Sequence, residues 1–192
     1  GVISLGVGEP DFQTPWVVRK EAVDILERKR IIYSANSGMM NLRKEIANYL
    51  NRKYDLTYDP DSEVIATVGG SEAIDLAIRA IVNPGDEVLV VEPSFVCYKP
   101  IVELMHGVAV PIPTKEENKF KLTPEELQAH ITEKTKMLIL PYPNNPTGGI
   151  MTREDLEKIA AVLRGTNILV LSDEIYSCLL YTSDAADDRI SV

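Results

Sequence analysis

From residue 63 onward, short apolar runs alternate with longer segments of helical periodicity, and this alternation is what most constrains the fold. The apolar runs cover residues 64–68, 88–91, 108–112, 137–140 and 168–171. Helical patterns separate them, and the clearest lies at residues 71–82. Strands this short and this uniformly apolar are typical of a parallel sheet with both faces covered. The sequence therefore predicts an α/β fold: a mainly parallel sheet with helices on both faces.

Further elements are predicted from local signals. A short strand at residues 2–5, a helix at residues 14–30 and a second helix at residues 40–54 precede the alternating part. The motifs that begin at Thr123 (Thr-Pro-Glu-Glu) and at Thr152 (Thr-Arg-Glu-Asp) predict helix starts, because a threonine side chain and an acid three residues later cap each other's backbone N–H groups.

Polar residues follow several of the apolar runs, and ligands of parallel sheets bind beyond the carboxyl ends of the strands. Gly70 and Ser71 lie where the first run turns into a helix, and the N–H groups of a helix N-terminus suit a phosphate. An ordinary turn with Ser71 as helix cap would give the same pattern. Asp173 and Tyr176 follow the last run. The Asp173 carboxylate can pair with a protonated ring nitrogen of a ligand, and the Tyr176 phenol can hydrogen-bond an oxygen on the same ring. The alternatives are that Asp173 caps the following turn and that Tyr176 is a half-buried core residue.

Two more candidates lie after intermediate runs. Phe95 follows Glu92-Pro93-Ser94, and an aromatic ring there could stack on a pyridine ring, or simply pack in the core. Asn145 precedes a Pro-Thr-Gly sequence. Its side-chain amide could donate a hydrogen bond to a phenolic oxygen of the same ligand ring, or the segment could simply form a turn.

Together these residues provide for the four parts of pyridoxal phosphate that a protein must hold: the phosphate, the ring face, the ring nitrogen and the phenolic oxygen. The candidates occur in order along the chain, each just past a predicted strand. An aspartate against the ring nitrogen keeps the ring protonated, and a protonated ring withdraws electrons from the reacting carbon. The sequence therefore predicts a pyridoxal-phosphate site.

The composition of the chain limits its binding partners and its cellular compartment. A length of 192 residues suits one domain, and a net charge of -9 argues against binding a phosphate backbone. The two cysteines form no Cys-x-x-Cys pair, which favours a reducing, cytoplasmic compartment over a disulfide framework. The two histidines lack a ligand partner at metal-binding spacing, and the apolar runs are too short to span a bilayer, so we expect no metal site and no membrane partner.

Six stretches of the sequence resemble the class I/II aminotransferases, which are pyridoxal-phosphate enzymes of fold type I. These stretches are residues 8–12, 33–43, 68–73, 83–87, 145–148 and 172–176, and the resemblance extends from residue 2 to residue 177. It implies that residues 31–177 are part of the large, cofactor-binding domain. Residues 1–30 would then be a segment of the small-domain or linker region.

The resemblance also implies an activity and site roles. The protein would move an amino group between an amino acid and a 2-oxo acid, in amino-acid metabolism. Gly8 would lie against the substrate carboxylate, and Asn145 would touch both substrate and cofactor. Tyr33 would reach the phosphate of the neighbouring subunit's cofactor, which implies a homodimer with shared sites.

Three features depart from the family pattern. Phe95 stands where many relatives carry Trp or Tyr, so substrate selection is expected to differ. No lysine follows Asp173, so no catalytic residue of the Schiff-base type is present and we expect an inactive N-terminal fragment. Residues 178–192 are small, acidic and aperiodic around residues 183–188, and we expect this tail not to be native to the fold.

Other functions use the same ring-holding residues. One is a β-eliminating lyase or a cyclopropane-forming synthase on the same fold. Another is a cofactor-sensing domain of a transcription regulator, which an attached helix-turn-helix domain would reveal. The sequence analysis favours the aminotransferase and leaves these two open.

Overall fold

The computed structural model describes residues 8, 12–28 and 32–180 of the chain. Within them, six α-helices and four strands follow one another. The helices are α1 (Trp16–Arg28), α2 (Met40–Tyr54), α3 (Gly70–Ile81), α4 (Tyr98–Leu104), α5 (Pro124–His130) and α6 (Arg153–Leu163), and the strands are β1 (Glu87–Glu92), β2 (Val108–Pro113), β3 (Thr135–Leu140) and β4 (Leu169–Ser172). The strand predicted at residues 2–5 and most of the predicted tail, residues 181–192, lie outside the described residues.

The four strands form one parallel sheet in the order β2-β1-β3-β4. In register, Leu89 of β1 lies between Val110 of β2 and Leu138 of β3, and Leu138 lies beside Val170 of β4. Strand β4 is at one edge, and no strand of the described residues pairs with its outer side. The prediction of an α/β fold with a parallel sheet is confirmed.

Helices cover both faces of this sheet, because alternate residues of each strand point to opposite sides. Val90 of β1 belongs to a buried cluster with Ile78 of α3, to which α4 also contributes. Leu89, the preceding residue, belongs to a second cluster with Leu127 of α5, to which α6 also contributes. These two clusters form the core, so the central strands β1 and β3 are buried on both faces as predicted. The outer strands β2 and β4 are only partly buried among the described residues.

Both predicted helix caps are present. The Glu126 N–H donates to Thr123 Oγ1 over 3.2 Å, and the Thr123 N–H donates to Glu126 Oε2 over 3.2 Å. At the start of α6, the Asp155 N–H donates to Thr152 Oγ1 over 3.3 Å and the Thr152 N–H donates to Asp155 Oδ2 over 2.9 Å. Each pair satisfies two backbone donors that a helix start leaves free.

The strand predicted at residues 64–68 is wrong. Val64 is buried, but Ile65 and Val68 are 63% and 92% exposed, and the Ala66 N–H donates to the Ser37 carbonyl rather than to a strand. The apolar, β-branched residues favour extended backbone, but a strand also needs a neighbour to complete its hydrogen bonds. The described part of the chain places no strand beside this segment.

Smaller differences concern element ends and the first helix. α1 begins at Trp16, two residues after the predicted start. α1 buries none of its residues against the rest of the described chain. Among the described residues, no helix combines the length and apolar character needed to cross a membrane.

Candidate functional site

The segments that follow β1, β3 and β4 lie at the same edge of the sheet, because the three strands are parallel neighbours. They carry Phe95, Asn145 and Asp173. The N-terminus of α3 joins them. A Cβ added at Gly70 would lie 3.6 Å from Ile175 Cδ1, just beyond β4. The structure therefore brings four predicted segments to one edge.

Asp173 is held by three hydrogen bonds, two of them to its carboxylate. Its backbone N–H donates to the Leu140 carbonyl over 3.1 Å, which extends the β3–β4 ladder by one residue. Its Oδ1 accepts the Ile175 N–H over 3.2 Å, and its Oδ2 accepts the Tyr98 hydroxyl over 2.7 Å. Asp173 thus caps the following turn, which was the alternative interpretation of this residue. It also presents a fixed carboxylate at the sheet edge.

Tyr98 is a buried neighbour of Asp173 that the sequence analysis missed. Its ring meets the Phe95 ring edge to face, with centroids 5.9 Å apart and planes at 79°. Burial, followed by the hydrogen bond to Asp173, raises the pKa of the Tyr98 phenol well above its ordinary value. Burial and then the Asp173 charge also raise the pKa of the Cys97 thiol. Both groups therefore stay neutral near neutral pH.

Asn145 and Tyr176 meet across the site: Asn145 Nδ2 donates to Tyr176 Oη over 3.3 Å. The loop that presents Asn145 is fixed by its neighbour Asn144, which is buried. Asn144 Oδ1 accepts the N–H of Thr147 over 3.3 Å and its hydroxyl over 3.0 Å, while the Asn144 N–H donates to the Gly149 carbonyl over 2.9 Å. Asn144 therefore shapes the loop and Asn145 remains exposed for a ligand.

The N-terminus of α3 carries no side-chain cap among the described residues. Its N-cap is Gly69, whose φ of 87° is accessible to glycine without strain, so Ser71 lies in the first turn and is not the cap. Gly70 and Ser71 are both exposed. Free N–H groups and the positive end of the helix dipole suit an anion here, although Glu72 of the same turn adds a negative charge beside it.

Among the described residues, Gly8 and Tyr33 show no contact with the residues at this edge. Tyr33 is fully exposed, and a Cβ added at Gly8 would meet nothing within 4 Å. The roles that the resemblance implies for them remain predictions.

Tyr98 and Asn144 were missed for different reasons. Tyr98 lies three residues after Phe95, a spacing that could have suggested a shared surface, but its partner Asp173 is 75 positions away. Only the order of the strands brings the two together. Asn144 stands beside Asn145, and no local pattern tells a buried amide from an exposed one.

Comparisons with known proteins show the family of the chain. The sequence profile of the family described as "Aminotransferase class I and II" matches residues 1–192. The chain is 48% identical to the putative aminotransferase YugH of Bacillus subtilis (strain 168), over 96% of the chain and 48% of that protein. It is 44% identical to a probable N-acetyl-LL-diaminopimelate aminotransferase of the same strain, over 94% of the chain and 46% of that protein.

Among solved structures, the crystal structure of an aromatic aminotransferase from Pyrococcus horikoshii OT3 superposes with a TM-score of 0.90 at 39% identity. It covers 95% of the chain and 48% of that structure's chain. The chain therefore spans about half the length of the relatives that it matches.

Proposed function

Because the chain belongs to the class I and II aminotransferases, which use pyridoxal phosphate, we propose that the full-length protein moves an amino group between an amino acid and a 2-oxo acid. The observation that supports this most directly is the convergence of three segments from different strand ends and helices. They place the Asp173 carboxylate, held by Tyr98, at the same edge as the Asn145–Tyr176 pair.

The residues present fit the cofactor. The uncapped start of α3, with Gly70 and the Ser71 hydroxyl, can take a phosphate. Phe95 can cover a ring face, since its own ring is held by the edge contact with Tyr98. When bound, pyridoxal phosphate supplies an electron sink for the substrate's α-carbon.

Three side chains would set the electronic state of that group. The negative charge of Asp173 would hold a proton at the ring nitrogen, through a charge-assisted hydrogen bond. Asn145 Nδ2 and Tyr176 Oη, which already contact each other, would both bond the phenolic oxygen. Gly8 would lie against the substrate carboxylate, and Asn145 would touch the substrate as well as the cofactor, as the resemblance implies.

The names of the matched relatives favour an aminotransferase over a lyase, a synthase or a regulator, since each relative compared above is named as an aminotransferase. Within this proposal, residues 31–177 belong to the cofactor-binding domain and residues 1–30 to the small-domain or linker region. The protein works in the cytoplasm as a homodimer, in which Tyr33 reaches the cofactor of the other subunit.

The test is a transamination assay of the full-length protein with pyridoxal phosphate, a panel of amino acids and 2-oxoglutarate. We expect the α-hydrogen of at least one amino acid to exchange with solvent and a new amino acid to form. Production of ammonia and a 2-oxo acid without amino transfer would support the lyase instead. Binding of the cofactor without turnover of any amino acid would support the sensor.

A further inference from the structure

The turn at Ser37 and Gly38 packs directly against the segment that leads into the proposed phosphate site. The Ala66 N–H donates to the Ser37 carbonyl over 3.0 Å. Among the backbone hydrogen bonds of the described residues, this is the one that joins residues 64–68 to another part of the chain. Ser37, Gly38 and Ala66 are partly buried, whereas Ile65 beside them is exposed. The position of this segment therefore depends on a small, localised contact.

Two constraints require glycine at position 38. Gly38 has a φ of 89°, a conformation that residues with a Cβ rarely adopt. A Cβ added there would also lie 2.7 Å from the Ala66 Cβ, which is closer than non-bonded carbon atoms approach. The Gly38 N–H donates to the Ala35 carbonyl over 2.9 Å, which closes the turn. The backbone of the turn thus lies on the Ala66 methyl group, and we call this packing the Gly38–Ala66 contact.

The segment reaches the start of α3 a few residues after Ala66. Thr67 Oγ1 donates to the carbonyl of Gly69, which is the N-cap of α3. The Val68 N–H donates to the Glu72 carboxylate in the first turn of the helix. These two hydrogen bonds make the connection compact, so a displacement at Ala66 is passed on to the start of α3.

We propose that Gly38 is a positioning residue, which sets the place of the α3 start through its contact with Ala66. The consequence for binding rests on the proposed function, in which Gly70 and Ser71 take the phosphate of pyridoxal phosphate. A ring that is held elsewhere, at Asp173, cannot follow a displaced phosphate site. Because hydrogen bonds weaken steeply with distance and angle, the phosphate is then held less well. Gly38 itself touches no ligand in this role.

The experiment compares pyridoxal phosphate with pyridoxal, which lacks the phosphate, in spectroscopic titrations of the full-length protein. Gly38→Ala should displace the start of α3 and leave the groups that hold the ring. We expect the preference for the phosphorylated form to fall roughly tenfold, the equivalent of one hydrogen bond to a charged group. Damage to the fold alone would weaken the binding of both ligands equally and leave this preference unchanged.

A double variant and a control separate the contact from the strain at position 38. Gly38→Ala combined with Ala66→Gly keeps the unfavourable φ but removes the obstructing methyl group, and the next atom, the Ala66 carbonyl oxygen, is 3.4 Å away. It should regain most of the preference. In the control Gly85→Ala, φ is 87° and the added Cβ meets nothing within 4 Å. It should lose stability through strain and keep the wild-type preference.

Amide hydrogen exchange in the protein without cofactor measures the contact itself. We expect the Ala66 N–H to exchange faster in Gly38→Ala, because it loses the Ser37 carbonyl, and at the wild-type rate in Gly85→Ala. Ala66→Gly alone introduces no clash, so it serves where Gly38→Ala folds poorly. It loosens the same contact, and it should speed exchange at position 66 and lower the preference by a smaller factor.

Wild-type exchange at position 66 in both Gly38→Ala and Ala66→Gly overturns the inference, and so does an unchanged preference for the phosphorylated form in both. A wild-type protein that binds no pyridoxal phosphate counts against the proposed function instead. The exchange rates then still decide whether Gly38 holds this segment.

Discussion

At the scale of single residues, the Asp173 carboxylate is the group on which the proposed chemistry most depends. Asp173→Asn keeps the shape and removes the charge that would hold a proton at the ring nitrogen. Loss of one charge-assisted hydrogen bond in a dry site costs about 3 kcal/mol at the transition state, or roughly a hundredfold in rate. The measurement is the single-turnover rate at which the substrate's α-hydrogen is removed by the full-length protein.

Tyr176→Phe provides the comparison for Asp173→Asn. We expect a smaller loss of rate, because Asn145, which contacts Tyr176 over 3.3 Å, can still donate to the same oxygen. A rate for Asp173→Asn within a few-fold of the wild type would show that the ring-nitrogen assignment is wrong.

The neighbouring asparagines separate loop stability from ligand contact. Asn144→Ala leaves the N–H and the hydroxyl of Thr147 without their acceptor, so we expect the free energy of unfolding to fall by about 1–3 kcal/mol. Asn145→Ala, at an exposed position, should change it by less than about 0.5 kcal/mol and weaken cofactor binding instead. Urea unfolding and cofactor titration of both variants test this; equal stability losses would contradict it.

The site positions that the sequence could predict are those that lie just after a strand. Asp173, Asn145 and Phe95 belong to this group, because strand ends are readable from short apolar runs and parallel sheets gather them at one edge. Tyr98 could not be found in this way, since its role depends on a partner 75 residues away and on burial that no local pattern reveals. Tyr33 and Gly8 rest on the resemblance alone.

At the scale of elements, β3 is the strand on which both core clusters depend. Leu138 is fully buried and pairs with residues on both sides, so Leu138→Ala should cost about 2–5 kcal/mol of unfolding free energy through the cavity that it leaves. Leu169 in the edge strand is about half exposed, and Leu169→Ala should cost less than about 1 kcal/mol. Chemical denaturation compares the two; a larger loss at Leu169 would contradict this account of the core.

The start of α6 should make stability depend on acid. Burial raises the pKa of the Asp155 carboxyl, but hydrogen bonds from Lys121 and Thr152 outweigh it, so the pKa lies below its ordinary value. A lowered folded-state pKa stabilises the protein above the unfolded pKa of about 3.9, and this contribution is lost as pH falls through the folded value. We expect Asp155→Asn to flatten the fall of unfolding free energy in this range.

Urea unfolding at a series of pH values from about 6 to about 2 measures that slope, over the range where aspartates titrate. Glu157→Gln is the control. Its ion pair with Arg153 lies on the exposed face of the same helix, and such pairs contribute little. It should keep the wild-type slope, and a wild-type slope in Asp155→Asn as well would refute the prediction.

Helices and caps were predictable because their signals are local, as at Thr123 and Thr152. At residues 64–68, local signals were not sufficient to predict the structure. The composition of this segment favours a strand, yet a strand exists only with a partner, and partners come from distant parts of a chain. Extended backbone was predictable there, and membership of the sheet was not.

At the scale of the whole molecule, the proposed dimer predicts complementation between subunits. Tyr33→Ala would damage the neighbour's site, whereas Asp173→Asn damages its own. Equal mixing of the two full-length variants then gives mixed dimers with one intact and one doubly altered site. About a quarter of all sites should be intact, as random assortment in a two-fold dimer requires.

The measurement is activity at limiting cofactor after the two variants are unfolded and refolded together, compared with the sum of the two refolded separately. If the protein were a monomer, no mixed dimer would form, and the mixture would show only the summed activity of the two variants. Light scattering gives the mass of each sample, so that a failure to reassociate is distinguished from a site that is not shared.

Strand β4 has a consequence for how the protein behaves in solution. Its sequence, Leu169-Val170-Leu171-Ser172, carries no charge, and within the described residues its outer edge is unpaired. Uncharged apolar edges are templates on which the same strand of another molecule can add, and proteins usually guard them with lysine, proline or a bulge. Wherever this edge is uncovered, concentrated samples should aggregate through β-type stacking. High salt should promote this aggregation, because it screens the repulsion from a net charge of -9.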